Sequence, residues 1–232
     1  MSRQSLFADR FEAGERLAAH LHHLASTDTV VVGLPRGGVP VAARVAAALG
    51  ASLDVIVVRK LGAPRNPEYA IGAIGEGGVI DVDPAIVETL GITDDELAAV
   101  VARESDAVAV RLGRYRGRRA PHPLTGRTVV LVDDGIATGA TMRAACRVAR
   151  AQGATRIVVA VPCAPPGWED DLDGLADELV ALRTPEPYFA VNQWYLDFRQ
   201  VTDDEVVALL EDASSRRAAA TVPKDPPTPS GT

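Results

Sequence analysis

The chain has 232 residues, of which 47% are hydrophobic and 24% charged, as is typical of one soluble globular domain. Its formal net charge of −7 argues against nucleic acid as the main partner, because nucleic-acid binders usually carry a dominant basic surface. The sequence shows no run of about 18 apolar residues and no apolar signal core, so we expect no membrane contact and a cytoplasmic location. The two cysteines, Cys146 and Cys163, lack metal-site spacing and are expected to be reduced thiols.

The first third of the chain alternates helical and strand patterns. Leucines at helical spacing predict a helix within 9–26, and β-branched runs predict buried strands at 29–34 and 53–58. An Ala-rich stretch at 39–49, followed by Gly50, predicts a helix between those strands. The segment 61–78 holds five Gly and two Pro, so we expect a flexible loop there instead of a long regular element.

The rest of the chain continues this alternation. One helix is predicted to begin at Asp83-Pro84 and another at Thr93, where Glu96 completes a capping box. Further strands are predicted at 128–132, 155–162 and 178–184, and further helices at 139–152 and 202–212.

Continuous apolar strands that alternate with helices predict an α/β fold with a doubly wound, mostly parallel five-stranded sheet. The segment 1–28 is assigned to an N-terminal helix that forms part of a small hood, and 29–185 to the core. The segment 186–213 is assigned to an aromatic part of the hood and a C-terminal helix. The remaining segment, 214–232, is rich in proline and is expected to be a disordered tail.

The most informative stretch is VVLVDDGIATGAT, residues 129–141. An apolar strand runs into two adjacent carboxylates, Asp133 and Asp134, and then into small residues that lead to a helix. A small-residue loop at a helix N-terminus suits a phosphate group, whereas carboxylates suit hydroxyls or a metal. Ribose 5-phosphate carries a phosphate close to a vicinal diol and would satisfy both parts. The alternative is an acidic strand-to-helix turn with an ordinary capped helix.

This stretch resembles the 5-phosphoribosyl 1-pyrophosphate (PRPP) motif of type I phosphoribosyltransferases. The resemblance implies that Asp133 and Asp134 hold the ribose hydroxyls. It places the 5′-phosphate in a phosphate loop formed by Ala137, Thr138, Gly139, Ala140 and Thr141. The family also implies Mg²⁺ that arrives with PRPP, with no direct protein ligand.

Two other stretches extend the resemblance. GLPRGGVPVA (33–42) is similar to the family's pyrophosphate loop, in which Arg36, Gly37 and Gly38 would contact the leaving group. Arg59-Lys60 resembles the basic pair that precedes the family's flexible catalytic loop, and the resemblance implies that both residues bind pyrophosphate. Taken alone, the first could be an ordinary turn and the second a solvated strand end. The terminal segments resemble those of a bacterial group of uncharacterised phosphoribosyltransferase-like proteins.

The resemblance predicts an enzyme that transfers a phosphoribosyl group from PRPP to a nitrogen acceptor and releases pyrophosphate. Its catalytic residues would be Asp133, Asp134, Arg36 and Lys60. A nucleobase is one candidate acceptor, but Ala137 stands where 6-oxopurine enzymes carry an Asp, which argues against hypoxanthine and guanine. The alternatives are a non-catalytic PRPP- or nucleotide-binding regulatory protein and an enzyme of nucleotide phosphorolysis. A homodimer is left open.

Three further features have no assigned role. Five aromatic residues between 188 and 198 indicate either the core of a small subdomain or a stacking platform for a base. Five arginines between 111 and 119 indicate a solvated helix end, a subunit contact or a polyanion site. The candidate general bases are Glu68, Glu76 and Asp197, and no pattern favours one of them.

Overall fold

A computed structural model describes residues 6–26, 28–117 and 119–221. The helices are α1 (Arg10–Ala18), α2 (Gly38–Leu49), α3 (Pro84–Thr89), α4 (Asp94–Arg116), α5 (Ala140–Ala151) and α6 (Asp203–Thr221). The strands are β1 (Thr29–Gly33), β2 (Ser52–Val55), β3 (Val58–Ala63), β4 (Asn66–Gly75), β5 (Ile80–Val82), β6 (Thr128–Val132), β7 (Arg156–Val161) and β8 (Glu178–Ala181).

The main sheet has five strands in the order β2-β1-β6-β7-β8, and each neighbouring pair is parallel. Alternate residues of its strands enter two different cores. Val31 and Val130 lie in the core formed with α1, α2, α4 and α6, whereas Val32 and Leu131 lie in the core formed with α5. Helices therefore cover both faces of the sheet, which confirms the predicted doubly wound α/β fold.

The segment 61–78, predicted to be a flexible loop, mostly consists of strand. β3, β4 and β5 form a second, antiparallel sheet, and β4 pairs with both neighbours. Glycine does not interrupt this sheet because it permits close packing: a Cβ at Gly72 would lie 2.2 Å from the carbonyl oxygen of Asp81. The prediction of a long irregular loop was wrong because those glycines were treated only as breakers.

The helices follow their local capping signals, with two differences. Thr93 and Glu96 form the predicted capping box of α4, and Asp83 caps α3. The first helix ends at Ala18, well before the predicted limit of 26. α6 continues to Thr221, so the tail predicted from 214 is helical in its first part, as its alanines and arginines favour. The rest of that tail, 222–232, lies outside the described residues.

None of the helices in the described part of the chain is long and apolar enough to cross a membrane.

The hood joins the N-terminal segment to the segment that follows β8. Residues 6–8 run beside 194–197, and the backbone N–H of Phe7 donates to the Trp194 carbonyl at 2.8 Å. In return, the N–H of Leu196 donates to the Phe7 carbonyl at 2.8 Å. Phe7 and Tyr195 are buried together, with ring centroids 5.4 Å apart. The N-terminal segment is therefore fixed beside the aromatic segment that follows β8.

Candidate functional site

The site lies where the chain order of the main sheet reverses. β2 lies on one side of β1, whereas β6, β7 and β8 follow on the other side. Ligands of open α/β sheets bind in the crevice at such a point, outside the carboxyl ends of the strands. Gly33 and Val132 are partners in register, and the N–H of Leu34 donates to the Val132 carbonyl at 2.9 Å. The loops that follow β1 and β6 therefore emerge side by side.

Asp133 and Asp134 stand at this point, directly after β6. The N–H of Asp134 donates to the Asp133 carboxylate at 2.9 Å. Burial and the neighbouring Asp134 charge raise the pKa of Asp133 well above its ordinary value. Burial also raises the pKa of Asp134, but the Arg10 guanidinium opposes that rise. Two carboxylates at a buried strand end are costly, and hydroxyl or cationic partners would offset the cost.

The predicted pyrophosphate loop, which contains Arg36, Gly37 and Gly38, packs directly against this acidic pair. A Cβ at Gly37 would lie 1.9 Å from Oδ2 of Asp134, and a Cβ at Gly38 would lie 2.8 Å from the Cα of Asp133. Glycine is needed at both positions, because a Cβ would collide with the Asp134 carboxylate at Gly37 and with the backbone of Val132 and Asp133 at Gly38. The structure thus brings together two motifs that are nearly 100 residues apart in the sequence.

The phosphate loop, 137–141, leads into α5. Gly139 has φ 70°, a left-handed conformation that glycine adopts without strain, and it precedes the first helical residue. Ala137, Thr138 and Thr141 are exposed to solvent. The first N–H groups of α5 have no partners within the helix, so this loop can receive an anion.

Asp171 also lies beside the phosphate loop, and no sequence signal pointed to it. A Cβ at Gly139 would lie 3.3 Å from Oδ2 of Asp171, whose other carboxylate oxygen is 3.5 Å from Nη1 of Arg143. Arg143 belongs to the first turn of α5. The negative charge of Asp171 at the phosphate loop is therefore partly balanced by a cation on the same helix.

The basic pair, Arg59 and Lys60, occupies a separate cavity between β3 and α4. Arg59 donates to Glu104 at 2.7 Å, and Lys60 lies 3.4 Å from a carboxylate oxygen of Glu68. The cavity has a volume of about 350 Å³. Among the residues that the structure describes, no hydrogen bond or ion pair connects this basic pair with Asp133 or Asp134.

Two arginines of α4, Arg103 and Arg111, line the same cavity. Four cations and two carboxylates around one cavity leave an excess of positive charge, which suits an anion. Sequence reasoning missed Arg103 and left the role of Arg111 open. Helical spacing is the signal that could have found them, since residues eight apart lie close to the same helix face.

The other described arginines near the end of α4 make contacts within the chain. Arg116 is largely buried and binds Asp54, Glu76 and the Val55 carbonyl. Arg114 binds Asp203 and Asp204. Arg119 donates to the Tyr115 carbonyl at 2.7 Å, while Arg118 lies outside the described residues. These contacts hold α4 against β2 and α6, so a polyanion site is not needed to explain Arg114, Arg116 and Arg119.

Aromatic residues of the hood also reach the site. Tyr195 donates to the backbone carbonyl of Asp134 at 2.6 Å, and Tyr188 donates to the carbonyl of Ile136 at 2.8 Å. Trp194 is buried and stacks on Tyr188. Most of the cluster therefore forms the core of a small subdomain that supports the acidic loop. Phe189 is the exception, with 77% of its surface exposed.

The candidate general bases are not equivalent. Glu76 is bound to Arg116, which occupies its carboxylate. The side chain of Glu68 is 94% exposed and bends towards Lys60. The backbone of Asp197 pairs with Ala8 in the hood. Within residues 6–26, 28–117 and 119–221, no group of three or more His, Cys, Asp or Glu side chains could hold a metal ion.

Comparison with known proteins adds to this geometry. Residues 4–198 match the family described as the phosphoribosyl transferase domain. Two Mycobacterium tuberculosis proteins, from strains CDC 1551 and H37Rv, are each named "Putative phosphoribosyl transferase" and are 49% identical over 225 residues. The matches cover 96% of this chain and 51% of each relative, so the chain spans about half the length of these curated relatives. The crystal structure of the protein TT1426 from Thermus thermophilus is 48% identical, with a TM-score of 0.78, and the match covers 89% of this chain and 98% of that one.

Proposed function

Because the chain belongs to the phosphoribosyl transferase domain family, we propose that it binds PRPP with Mg²⁺ and transfers the phosphoribosyl group to a nitrogen acceptor. Pyrophosphate is the other product. The observation that carries this proposal is the meeting of two loops at the point where the chain order of the sheet reverses. The loop after β6 offers two carboxylates and then N–H groups at a helix start, and the loop after β1 offers closely packed glycines beside an arginine.

Each part of PRPP has a matching part of the site. Asp133 and Asp134 accept hydrogen bonds from the ribose hydroxyls, and the phosphate loop receives the 5′-phosphate. The pyrophosphate loop binds the leaving group through Arg36 and the N–H groups of Gly37 and Gly38. These assignments come from the resemblance to the PRPP motif, and the positions of the loops in the fold support them.

The reaction forms a bond between the acceptor nitrogen and C1 of the ribose and breaks the bond between C1 and the pyrophosphate oxygen. The bonding electrons leave with pyrophosphate, and the acceptor releases its proton. The carboxylates of Asp133 and Asp134 favour the positive charge that develops on the ribose, while Arg36 favours the departing anion. Lys60 was expected to act beside Arg36, but it lies in a separate cavity and pairs with Glu68, so no part of this step is assigned to it. Arg103 and Arg111 extend the positive charge of the cavity that contains Lys60.

The donor set at the site fits a metal that arrives with its ligand. Mg²⁺ takes about six oxygen ligands, which the phosphate and ribose oxygens of PRPP and water would supply without a direct protein ligand. When bound, Mg²⁺ neutralises charge on the pyrophosphate.

The acceptor is a nitrogen compound, for which a nucleobase is one candidate. Ala137 is exposed at the start of the phosphate loop and carries no group that could accept a proton. The site therefore does not favour hypoxanthine or guanine. Phe189, exposed next to Tyr188 in the hood, offers a ring on which a flat acceptor could stack.

The test replaces both carboxylates, Asp133→Asn with Asp134→Asn, and measures PRPP affinity by titration calorimetry in the presence of Mg²⁺. Two charge-assisted hydrogen bonds of about 1.5–3 kcal/mol each predict a loss of at least about a hundredfold. Asp94→Asn with Asp95→Asn is the matched control, because these exposed residues in the first turn of α4 give the same change in formal charge outside the site. Affinity equal to wild type in the first variant would overturn the proposal.

Turnover is tested separately, by measuring pyrophosphate release from PRPP with a panel of nucleobases and other nitrogen compounds. Release that depends on one compound identifies the acceptor. Tight PRPP binding without release in the presence of any compound would instead assign the chain to the non-catalytic, regulatory alternative.

A further inference from the structure

Arg10, the first residue of α1, is a buried cation in direct contact with the acidic pair. Its Nε donates to Oδ2 of Asp134 at 2.7 Å, and its side chain is only 10% exposed. Its Nη1 donates to the Arg199 carbonyl at 2.9 Å, and its Cζ lies 3.8 Å from the centre of the Phe198 ring. These directional contacts fix the guanidinium in one position.

The carboxylate of Asp134 is fixed in turn. Gly37 packs against the same oxygen that Arg10 binds, since a Cβ there would lie 1.9 Å from Oδ2 of Asp134 and 3.2 Å from Nε of Arg10. Tyr195 anchors the backbone of the same residue through a 2.6 Å bond to its carbonyl. The side chain of Asp134 is only 15% exposed. Arg10 binds Oδ2 of Asp134, which leaves Oδ1 of the same carboxylate to accept a hydrogen bond from a ligand.

The charges around the pair come from several elements. Asp133 is the neighbouring acid, Tyr195 and Tyr188 come from the hood, and Cys163 follows β7. Burial raises the pKa of Cys163 to about 12 and raises the pKa of both tyrosines, so these three groups are uncharged near pH 7. Arg10 on α1 supplies the positive charge that lowers the pKa of both aspartates against the effect of burial.

We propose that Arg10 is the positioning residue of the acidic pair: it places a positive charge against Asp134 and orients its carboxylate, so that the free carboxylate oxygen accepts a hydrogen bond from a ribose hydroxyl. The ligand in this statement rests on the proposed function. Arg10 touches Asp134 and acts on the ligand through it. Because Arg10 belongs to the hood, correct packing of the N-terminal segment decides whether the site can bind PRPP.

The first experiment measures the protein alone and needs no ligand. Carbon-13 NMR of the aspartate carboxyl groups, titrated with pH, reports the ionisation of Asp133 and Asp134 separately. In the wild type, Asp134 should ionise at a lower pH than Asp133. In Arg10→Gln, the Asp134 midpoint should rise by about one to three pH units, as expected when an arginine partner is lost.

Arg16→Gln is the matched control, since Arg16 lies on the same helix, is exposed and pairs with Glu12. It should leave both midpoints unchanged. The proposal is overturned if, in the wild type, Asp134 ionises at the same pH as Asp133 or at a higher pH. This test uses only the wild-type protein, so it can be made even if Arg10→Gln does not fold. Arg10→Lys keeps the charge without the forked geometry and should show an intermediate midpoint.

The second experiment measures PRPP affinity by calorimetry between about pH 5 and pH 9. Affinity falls on the acid side as Asp134 gains a proton, by about tenfold per pH unit below its midpoint. Arg10→Gln should move this fall to higher pH by the shift seen in the NMR titration, and Arg10→Lys by less. A uniform loss at every pH indicates a merely structural role, and tighter binding indicates that Arg10 competes with the ligand. Either result overturns the proposal, as does an unchanged profile.

The two experiments separate the two proposals. If the wild type binds no PRPP while the NMR titration shows the expected midpoints, the proposed function fails and the effect of Arg10 on Asp134 stands. If PRPP binds and the midpoints do not respond to Arg10, the proposed function stands and the role of Arg10 fails.

Discussion

Gly37→Ala adds a single methyl group where the predicted pyrophosphate loop meets the acidic pair. The backbone of Gly37 has φ −63° and ψ −33°, which alanine adopts freely, so any effect must come from contacts. The new Cβ would lie 1.9 Å from Oδ2 and 2.6 Å from Cγ of Asp134. The carboxylate would have to retreat by about 1.5 Å before that contact became ordinary.

Such a displacement is costly because Asp134 is already held by Arg10 at 2.7 Å. We expect the loss of one charge-assisted hydrogen bond to PRPP, about 1.5–3 kcal/mol, and thus roughly a ten- to hundredfold weaker affinity. Insertion of a methyl group into a packed site should also lower the free energy of unfolding by about 1–3 kcal/mol. Titration calorimetry measures the first effect and urea denaturation the second.

Two matched substitutions show whether the contact itself is responsible. Gly113→Ala, in α4, meets nothing within 4 Å and should raise stability by about 1 kcal/mol without changing PRPP affinity. The Cβ added by Gly38→Ala would lie 2.6 Å from the carbonyl oxygen of Val132, a backbone atom that cannot rotate away. This variant should therefore lower the free energy of unfolding more than Gly37→Ala does. PRPP affinity equal to wild type in Gly37→Ala would refute the reasoning, because Asp134 would then have no defined place in the site.

Three further predictions concern stability. Arg116→Met should lower the free energy of unfolding by about 3–5 kcal/mol in denaturant titrations, since it leaves two buried carboxylates unpaired. Arg114→Met removes an exposed ion pair and should stay close to wild type, so equal losses in the two variants would contradict this difference in burial. Tyr195→Phe should cost about 1–3 kcal/mol and lower the melting temperature by several degrees, because the Asp134 carbonyl loses its 2.6 Å donor; an unchanged melting temperature would show that water replaces that donor. Folding raises the pKa of Asp133, so the folded protein becomes less stable as the pH rises above the ordinary carboxyl pKa of 3.8 and the side chain is forced to ionise. Asp133→Asn removes this cost, so it should raise the melting temperature at pH 7 but not below pH 3.8. Calorimetry that shows the same gain at every pH would count against this prediction.

The local signals of the sequence determined most of the fold. A capping box needs contacts only three residues apart, and Thr93 with Glu96 therefore fixed the start of α4 from the sequence alone. The apolar run before Asp133 likewise placed β6 and the loop after it, because strand and turn preferences act over a few residues. The order of strands and helices then left few topologies for a parallel sheet.

The tertiary structure decided what lies around that loop. Arg10 meets Asp134 across 124 residues of sequence, and no local pattern marks an arginine near the N-terminus as the partner of a distant carboxylate. Arg103 and Arg111 enter the cavity of Lys60 only because α4 packs beside β3. Gly62 and Gly72 permit close packing in the second sheet, although glycine in another setting would end a strand. Contacts of this kind depend on the packing of the whole chain, whereas the acidic strand end and its small-residue loop were already determined by residues 129–141.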